Sequence, residues 1–493
     1  MNNASLSIKP VKGGIYITPQ KQQILQRGIQ TLQLQKRLFF PLTDQRGQRR
    51  EPIVDHNSVV LKGQQIAISS NHQSVPIHAS SSGILKYSEI DNPQQLIIET
   101  DGKHLAVDYF PVNNPLQTSP RQLIECIEQA GVTGMGGAGF PAHLKLQAAL
   151  QQQPTTLILN AVECDPYTAC DSALLLDNLD WVFDGASIIM HISGATRCIT
   201  AIEDHQTELL TQLQQKAADQ SNRYFEVIAV STKYPSGSEQ QLVESLTGQT
   251  INSTQTALNV GVICFNIATV VAINRAIRVG KPVLQRIVTV SGPGIPQPTN
   301  ILAAIGTPIS KLIETCGSFN KNITPIIGGV MMGQATSASN AAILKETYSL
   351  WIPALDTDAA EPQPCIRCGD CAYVCPSHLQ PQSLYRLAKA QQWNQLQQDE
   401  TLPNCIECGA CDLVCPSHIP LTQTFIQTKQ HINAIKQSRH KAEHARQRYL
   451  ARQERIEKLA LLKQLNINKR KKPSDVHNMI TRIKNKVENN TDS

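Results

Sequence analysis

The segment CIRCGDCAYVCP at residues 365–376 returns as CIECGACDLVCP at residues 405–416, and this duplication sets the architecture of the C-terminal region. In each copy the cysteines follow the pattern C-x2-C-x2-C-x3-C-P. Soft thiolates at this spacing are typical ligands of iron–sulfur clusters. The repeat therefore predicts two [4Fe–4S] clusters, held by Cys365, Cys368, Cys371, Cys375, Cys405, Cys408, Cys411 and Cys415.

In two-cluster ferredoxins the fourth cysteine of each motif binds the other cluster. On that pattern one cluster is bound by Cys365, Cys368, Cys371 and Cys415, and the other by Cys405, Cys408, Cys411 and Cys375. A pair of structural zinc sites is the alternative. Zinc sites usually present two CxxC pairs separated by a longer spacer, so the pattern favours iron–sulfur clusters.

The rest of the chain has the composition of a folded protein. Its 493 residues correspond to about three to four domains. Aromatic residues make up only 4%, which argues against a surface that stacks nucleic-acid bases. The net charge of +6 is uneven: residues 424–493 carry 17 Lys and Arg against 6 Asp and Glu, a charge of +11, which leaves −5 (6 − 11) for residues 1–423. We therefore expect no nucleic-acid partner.

The basic tail suits an anionic lipid surface, although a solvated charged helix is the simpler interpretation.

No segment predicts export or a membrane span. The N-terminus lacks an apolar run of signal-peptide length. The most apolar stretch, residues 257–277, is interrupted by Asn259, Asn266, Asn274 and Arg275, so we expect a buried helix. The 14 cysteines are then expected in a reducing compartment, as metal ligands or free thiols.

Apolar runs and turn signals predict a multidomain α/β protein with five segments. These are a β-rich barrel-sandwich-like domain (1–115), an α/β domain (116–285), a small domain of short strands and turns (286–350), a helical ferredoxin-like dicluster domain (351–425), and a basic charged helix with a disordered tail (426–493). Val59–Ile68 and Val75–Leu85 resemble half of a lipoyl-type barrel sandwich. No lysine lies at the turn tip where such domains are modified, so no carrier role is expected.

A glycine-rich loop, GMGGAGFP at residues 134–141, precedes a predicted helix over His143–Gln151. Gly134, Gly136 and Gly139 spell G-x-G-x-x-G, but a helix rather than a strand precedes them, which disfavours an ordinary dinucleotide fingerprint. Backbone amides without side chains, a helix N-terminus and Lys145 are typical of a phosphate cradle. A tight turn that needs glycine is the alternative.

Two more polar segments follow predicted strands. NAVECDPY at residues 160–167 follows a buried strand, and YPSGSE at residues 234–239 follows the next strand, FEVIAVSTKY. Ligands of α/β proteins bind at the carboxyl ends of strands, so both segments are candidates for one site. Cys164 in the first segment is expected to be an inert buried thiol.

Together, GMGGAGFP with Lys145, LILNAVECDPY, TKYPSGSEQQLVESLTG, GGVMMG and the paired cysteine motifs resemble the C subunit of the Rnf electron-transport complex (RnfC/RsxC) over residues 10–430. The middle of the chain is similar to the FMN- and NADH-binding subunit of respiratory complex I. The resemblance implies an FMN- and NADH-binding domain over residues 116–285 and a small β-grasp-like domain of the SLBB type over residues 286–350. This resemblance implies NADH oxidation at FMN, electron transfer through iron–sulfur clusters, and a ferredoxin-type partner. It also implies an ion-translocating complex with A, B, D, E and G subunits. This chain would then lie on the cytoplasmic side of the bacterial inner membrane.

The resemblance also implies roles for individual residues. It assigns the FMN phosphate and ribityl chain to the glycine loop and Lys145, the flavin to Asn160 and Asn266, and the flavin and nicotinamide to Tyr234, Gly237 and Glu239. It places Phe140 against the nicotinamide nucleotide and Asp165 near the flavin, and the neighbouring Glu163 belongs to the same segment. The cofactor set is therefore Gly134, Gly136, Gly137, Gly139, Phe140, Lys145, Asn160, Glu163, Asp165, Tyr234, Gly237, Glu239 and Asn266, without a catalytic acid, base or nucleophile.

The sequence departs from the family pattern at several positions. Val162 stands where complex I has an acidic flavin ligand, and Ser238 replaces the first glutamate of a pair that binds NADH. Tyr16 and Gln45 replace histidines, and Val330 replaces a proline. A flavin-free iron–sulfur relay, or a subunit that reduces a redox sensor without oxidising NADH, is therefore the alternative function.

Overall fold

The computed structural model describes residues 11–219, 224–253, 255–317, 324–337, 341–354, 361–398, 402–468 and 478–483. The chain divides into two compact units, Met1–Phe425 and Ile426–Ser493.

The N-terminal part of the first unit is a sandwich of short strands. Its elements are α1 (Gln22–Gln26), β1 (Ile29–Thr31), β2 (Arg37–Pro41), β3 (Glu51–Pro52), β4 (Val59–Val60), β5 (Gln65–Ile68), β6 (Ile77–His78), β7 (Gly83–Tyr87) and β8 (Gln95–Thr100). One antiparallel sheet has the order β2-β8-β7-β4 and the other the order β3-β5-β6. Alternate residues enter the core, as Leu38 and Phe40 do on β2, which confirms the predicted β-rich sandwich.

The middle of the chain is a parallel sheet covered by helices. Its elements are α2 (Pro120–Gln129), α3 (Ala142–Gln152), β9 (Thr156–Ala161), α4 (Cys170–Ser193), β10 (Arg197–Glu203), α5 (Thr207–Asp219), β11 (Phe225–Val230), α6 (Glu239–Thr247), β12 (Val262–Asn266) and α7 (Ile267–Arg278). The strand order is β11-β10-β9-β12, and all three pairings are parallel. Because β10 lies on one side of β9 and β12 on the other, the chain switches direction there, which is where such sheets bind ligands.

The helix predicted over His143–Gln151 is confirmed as α3. On α2 the apolar face formed by Leu123, Ile124 and Ile127 is buried. Helix α3 follows the glycine-rich loop directly, and α6 ends at Gly248, whose φ of +74° matches a glycine helix stop.

Residues 257–277 do not form the single helix that the sequence predicts. Val262–Asn266 form β12 within the sheet, and the helix begins only at Ile267. Branched and aromatic residues suit a buried strand, and Asn266 caps α7 by accepting a hydrogen bond of 3.0 Å from the Ala268 amide. The segment is buried as predicted, whereas the prediction of one helix is wrong. In the described part of the chain no helix is long and apolar enough to cross a membrane.

A third sheet joins distant parts of the sequence. Its region contains β13 (Gln285–Ser291), β14 (Thr299–Ala304), α8 (Ile309–Thr315), β15 (Ile326–Ile327), α9 (Gly329–Met332), β16 (Gln334–Ala335) and β17 (Ser349–Trp351). The sheet order is β1-β14-β13-β17-β15-β16, so the N-terminal strand β1 lies at its edge. Leu85 and Leu96 of the sandwich share one hydrophobic core with Val288 and Ile301 of this sheet. The first and third predicted segments are therefore packed together.

The cysteine region contains the short helices α10 (Asp370–Tyr373), α11 (Pro381–Lys389), α12 (Trp393–Gln398) and α13 (Ala410–Leu413). The two motifs repeat their backbone as well as their sequence, because equivalent positions have positive φ. These pairs are Arg367 and Glu407, Gly369 and Gly409, and His378 and His418.

The last long element is α14 (Leu421–Asn468), a helix of 48 residues. Every side chain over 441–450 is exposed, as expected of a solvated charged helix. Residues 478–483 are also helical. The rest of the tail predicted to be disordered, 469–477 and 484–493, lies outside the described residues.

Candidate functional site

A cavity of about 670 Å³ opens beyond the carboxyl ends of β9 and β12, at the switch point of the sheet. This volume falls within the range of roughly 300–1,000 Å³ that is usual for ligand and cofactor sites. Most of the predicted cofactor residues line it: Gly134, Gly136, Phe140, Lys145, Asn160, Glu163, Asp165, Tyr234, Gly237, Glu239 and Asn266. Gly137 and Gly139 are not among the lining residues and shape the loop instead.

The glycine-rich loop is closed by a hydrogen bond of 2.7 Å from the Gly134 amide to the Phe140 carbonyl oxygen. A Cβ on Gly137, whose φ is +100°, would lie 2.8 Å from the Tyr348 ring. The Gly137 carbonyl accepts a hydrogen bond of 2.7 Å from the Gln45 side chain, which reaches in from the barrel sandwich. The loop therefore needs glycine both for its turn and for its close packing.

Lys145 supplies the cation of the cavity. It lies in the second turn of α3, a helix that has no side-chain cap at its N-terminus. Its Nζ lies 2.9 Å from Glu239 Oε2 and 5.4 Å from the centre of the Phe265 ring. Burial acts to lower the pKa of the Lys145 ammonium, but Glu239 outweighs it and the pKa is raised. Uncapped amides and a permanent cation suit a bound phosphate or hydroxyl-rich chain.

Asn160 and Asn266 occupy the same register on adjacent strands, one at the end of β9 and one at the end of β12. Asn160 donates a hydrogen bond of 2.8 Å to the Gly237 carbonyl oxygen and accepts one of 3.0 Å from the Val162 amide. Asn266 donates to the Asp171 carboxylate. The structure thus brings both predicted asparagines to the floor of the cavity.

Glu163 lines the cavity, but its carboxylate serves the helix behind it. It accepts hydrogen bonds of 3.0 Å from the Asp171 amide and 2.9 Å from the Ser172 hydroxyl, at the start of α4. Its carbonyl oxygen accepts from Lys21, whose ammonium lies 3.1 Å from Glu203. Glu163 therefore anchors the cavity wall to the helix N-terminus.

Asp165 is held by three donors: the Tyr167 amide at 3.0 Å, the Thr168 hydroxyl at 3.1 Å and the Val330 amide at 3.0 Å. A proline at position 330 would have no amide to donate. Val330 therefore makes a hydrogen bond that a proline at this position could not make. Burial raises the pKa of Asp165 in spite of these donors.

Sequence reasoning missed several polar residues of the cavity, among them Asp171 and Tyr348. The Tyr348 hydroxyl donates a hydrogen bond of 2.6 Å to the Gly328 carbonyl oxygen. Asp171 receives only the Asn266 amide, and its Oδ1 has no hydrogen-bond partner among the described residues. No motif marks either residue, because each reaches the site through packing of a distant element.

Two other residues of the site have local roles. Cys164 is half-buried rather than buried as predicted. The partial burial raises the pKa of its thiol to about 12, which favours the protonated form at neutral pH. Ser238 caps α6 by accepting a hydrogen bond of 3.4 Å from the Gln241 amide. Ser238 thus stabilises the start of this helix.

The structure brings the eight motif cysteines together in two groups of four. Cys375, Cys405, Cys408 and Cys411 surround one small cavity, called the proximal group because it adjoins the large cavity. Cys365, Cys368, Cys371 and Cys415 surround a second, called the distal group. Each group contains three cysteines of one motif and the last cysteine of the other, which is the division predicted for two clusters.

The arrangement of these thiols suits four-iron clusters better than zinc. Within the described residues, no three His, Cys, Asp or Glu side chains converge closely enough to bind one metal ion. A structural zinc needs four ligands at about 2.0–2.3 Å from one point. A [4Fe–4S] cluster binds each thiolate through a different iron, so its ligands surround a larger volume.

The proximal group and the large cavity share a wall. Tyr234 lines the cavity, and its hydroxyl donates a hydrogen bond of 2.6 Å to the Cys408 carbonyl oxygen. Met331 lines the same cavity, and a Cβ on Gly409 would lie 2.7 Å from its carbonyl oxygen. A cofactor in the cavity would therefore be separated from the proximal thiols by little more than these residues.

Three family models match the chain. They are the Nuo51 FMN-binding domain over residues 127–275, the RnfC barrel sandwich hybrid domain over 9–103, and the 4Fe-4S dicluster domain over 358–438. The predicted fold class, FMN and the two [4Fe–4S] clusters are thereby confirmed, and NAD(H) is consistent with the Nuo51 match.

Curated relatives extend along most of the chain. The C subunit of the ion-translocating oxidoreductase complex of Haemophilus influenzae (strain PittEE) is 35% identical over 91% of this chain and 70% of its own length. The C subunit of the proton-translocating ferredoxin:NAD(+) oxidoreductase complex of Clostridium ljungdahlii is 33% identical over 80% of this chain and 88% of its own. The structure of an NAD+-reducing [NiFe]-hydrogenase is 17% identical to this chain, and the match covers 65% of this chain and 63% of the hydrogenase chain. Its TM-score of 0.47 does not establish a shared fold.

Proposed function

Because this chain belongs to the family of C subunits of ion-translocating oxidoreductase complexes, we propose that it is the electron-entry subunit of such a complex. It passes electrons between NAD(H), FMN and two [4Fe–4S] clusters, to or from a ferredoxin-type partner. The observation that carries this proposal is the shared wall of Tyr234 and Met331 between the FMN cavity and the proximal cysteines.

In the proposed site the glycine loop and Lys145 hold the phosphate and ribityl chain of FMN, while Asn160 and Asn266 contact its ring system. Phe140, which is 41% exposed at the cavity, and Glu239 contact the nicotinamide nucleotide. FMN held by these residues would supply the conversion between a two-electron hydride and single electrons. The chain would hold and orient the cofactor, and no side chain needs to act as acid, base or nucleophile.

The proposed relay runs from the cavity to the proximal group and then to the distal group. The distal group lies nearer the surface, because Cys365 and Cys368 are exposed whereas Cys408 and Cys411 are buried. Ile366 and Tyr373 beside the distal cysteines are 68% and 86% exposed. These apolar side chains support contact with the electron-transfer partner at this end.

The remaining subunits and the location follow from the family. We propose association with A, B, D, E and G subunits, on the cytoplasmic side of a bacterial inner membrane. The names of the relatives support a multi-subunit complex.

The test is the cofactor content of the anaerobically purified chain, followed by an absorbance scan before and after NADH. About eight iron and one FMN per chain, with bleaching of the FMN by NADH, is the expected result. Iron without flavin would instead support the flavin-free relay. The departures at Val162 and Ser238 would then account for the lack of flavin binding. Bound flavin that neither NADH nor NADPH reduces would contradict NADH oxidation.

A further inference from the structure

Asp171 is a carboxyl group of the FMN cavity that the proposed electron path does not use. It is the second residue of α4, and only 9% of its surface is exposed. Its Oδ2 accepts a hydrogen bond from Asn266, while its Oδ1 is buried without a partner among the described residues. A buried oxygen with no donor is costly when the group is charged.

The other carboxyl groups of the cavity are better compensated. Glu163 accepts hydrogen bonds from two amides and a hydroxyl, and Asp165 likewise accepts from two amides and a hydroxyl. Glu239 is paired with Lys145. Hydrogen bonds and opposite charges favour the ionised form. Asp171 is therefore the carboxyl group of the cavity that is most easily neutralised.

The groups that face Asp171 come from several elements. They are Glu163 after β9, Arg286 on β13, Lys21 before α1, Cys170 on the same helix and Tyr348 before β17. Burial, followed by the charge of Glu163, raises the pKa of Asp171 to about 7, although Arg286, Asn266 and Lys21 act to lower it. Near neutral pH the group is thus divided between its charged and neutral forms.

We propose that Asp171 takes up one proton from solvent when FMN binds. The wall of the cavity then carries one negative charge fewer when the anionic cofactor is bound. The step is carboxylate plus proton to carboxylic acid. No bond to FMN forms and no electron moves. The inference rests on the proposed function, because it requires FMN in this cavity.

The physical reason is repulsion between like charges. The phosphate of FMN, like other phosphate monoesters, carries up to about two negative charges at neutral pH. An added anion in a partly dehydrated cavity raises the free-energy cost of keeping each nearby carboxyl group ionised. FMN should therefore bind more tightly to the protein in which Asp171 is neutral.

Calorimetry of FMN binding tests the inference on the full, cluster-loaded chain after removal of flavin. Titrations at pH 8 in buffers of different ionisation enthalpy give the number of protons taken up. We expect nearly one proton for the wild type and close to none for Asp171→Asn. The FMN phosphate itself titrates near pH 6, so affinity is read as the ratio of wild type to Asp171→Asn. From pH 6 to pH 8 that ratio should fall by about tenfold.

Asp177→Asn is the matched control, because Asp177 is an exposed aspartate on the same helix. It should take up as many protons as the wild type. Equal proton uptake by wild type and Asp171→Asn would overturn the inference, whereas failure of the wild type to bind FMN would overturn the proposed function. If Asp171→Asn does not fold, Asp171→Ser removes the same carboxyl group.

Discussion

The hydroxyl of Tyr234 donates a hydrogen bond of 2.6 Å to the carbonyl oxygen of Cys408, 174 residues further along the chain. Tyr234 is 4% exposed and lines the cavity proposed for FMN, while Cys408 belongs to the proximal cysteine group. Gln241 on α6 makes a parallel contact of 3.1 Å to the carbonyl oxygen of Pro376. The loop and helix after β11 thus connect the large cavity to the proximal cysteine group.

Removing this hydrogen bond should loosen the junction. Tyr234→Phe keeps the ring but leaves a buried carbonyl without its donor, so the free energy of unfolding should fall by about 1–3 kcal/mol. Electron transfer from FMN to the clusters, followed by stopped-flow absorbance, should slow while FMN content is unchanged. Tyr224→Phe, at an exposed tyrosine, is the control. An unchanged transfer rate in Tyr234→Phe would show that the hydroxyl does not set this geometry.

The two cysteine repeats offer a matched pair of glycines. Gly409 and Gly369 both have positive φ, at +76° and +91°. Of these two glycines, only Gly409 would place a Cβ against a neighbour among the described residues, since the Met331 carbonyl oxygen would lie 2.7 Å away. Gly369→Ala should cost about 1–2 kcal/mol of stability through backbone strain alone. Gly409→Ala should cost about 1–3 kcal/mol more, because the added methyl group meets the wall of the FMN cavity. Anaerobic denaturant unfolding measures both, and equal losses would contradict the close approach.

Single cysteine substitutions should separate the clusters and reveal their order. Cys411→Ser in the proximal group and Cys371→Ser in the distal group should each lower iron from about eight to about four per chain. NADH should still reduce the remaining cluster in Cys371→Ser but only slowly in Cys411→Ser, as seen by electron paramagnetic resonance. Cys126→Ser, at a cysteine outside both groups, should keep all its iron. Fast reduction in both variants would reject the proposed order.

Lys145→Ala tests the cation of the cavity. Loss of a charge-assisted hydrogen bond, worth about 1.5–3 kcal/mol, should weaken FMN binding by about tenfold to a hundredfold. Flavin fluorescence during titration of the flavin-free chain measures the change. Lys216→Ala is the control, because Lys216 pairs with Asp180 far from the cavity lining. Equal FMN affinity in Lys145→Ala and the control would remove Lys145 from the site.

Much of the candidate site could be predicted because its signals are local. The cysteine spacing, the glycine loop and the polar segments after β9 and β11 each occupy a short run of sequence, and nearly all predicted residues line one cavity. Residues 262–266 show where local sequence patterns no longer predict the structure. Their apolar run fits a helix or a strand equally well, and pairing with β9 in the sheet selects the strand.

Short stretches of sequence were enough to specify which ligands and cofactors the chain can hold, because thiolates at fixed spacing and glycines at a helix start encode chemistry locally. Which of these groups meet depended on the folded chain. Folding set Asn160 beside Asn266 across two strands, brought Tyr234 to Cys408, and left one oxygen of Asp171 buried without a donor among the described residues. These relationships depend on packing between segments that are distant in sequence, and no short pattern records which distant surfaces will be buried against each other.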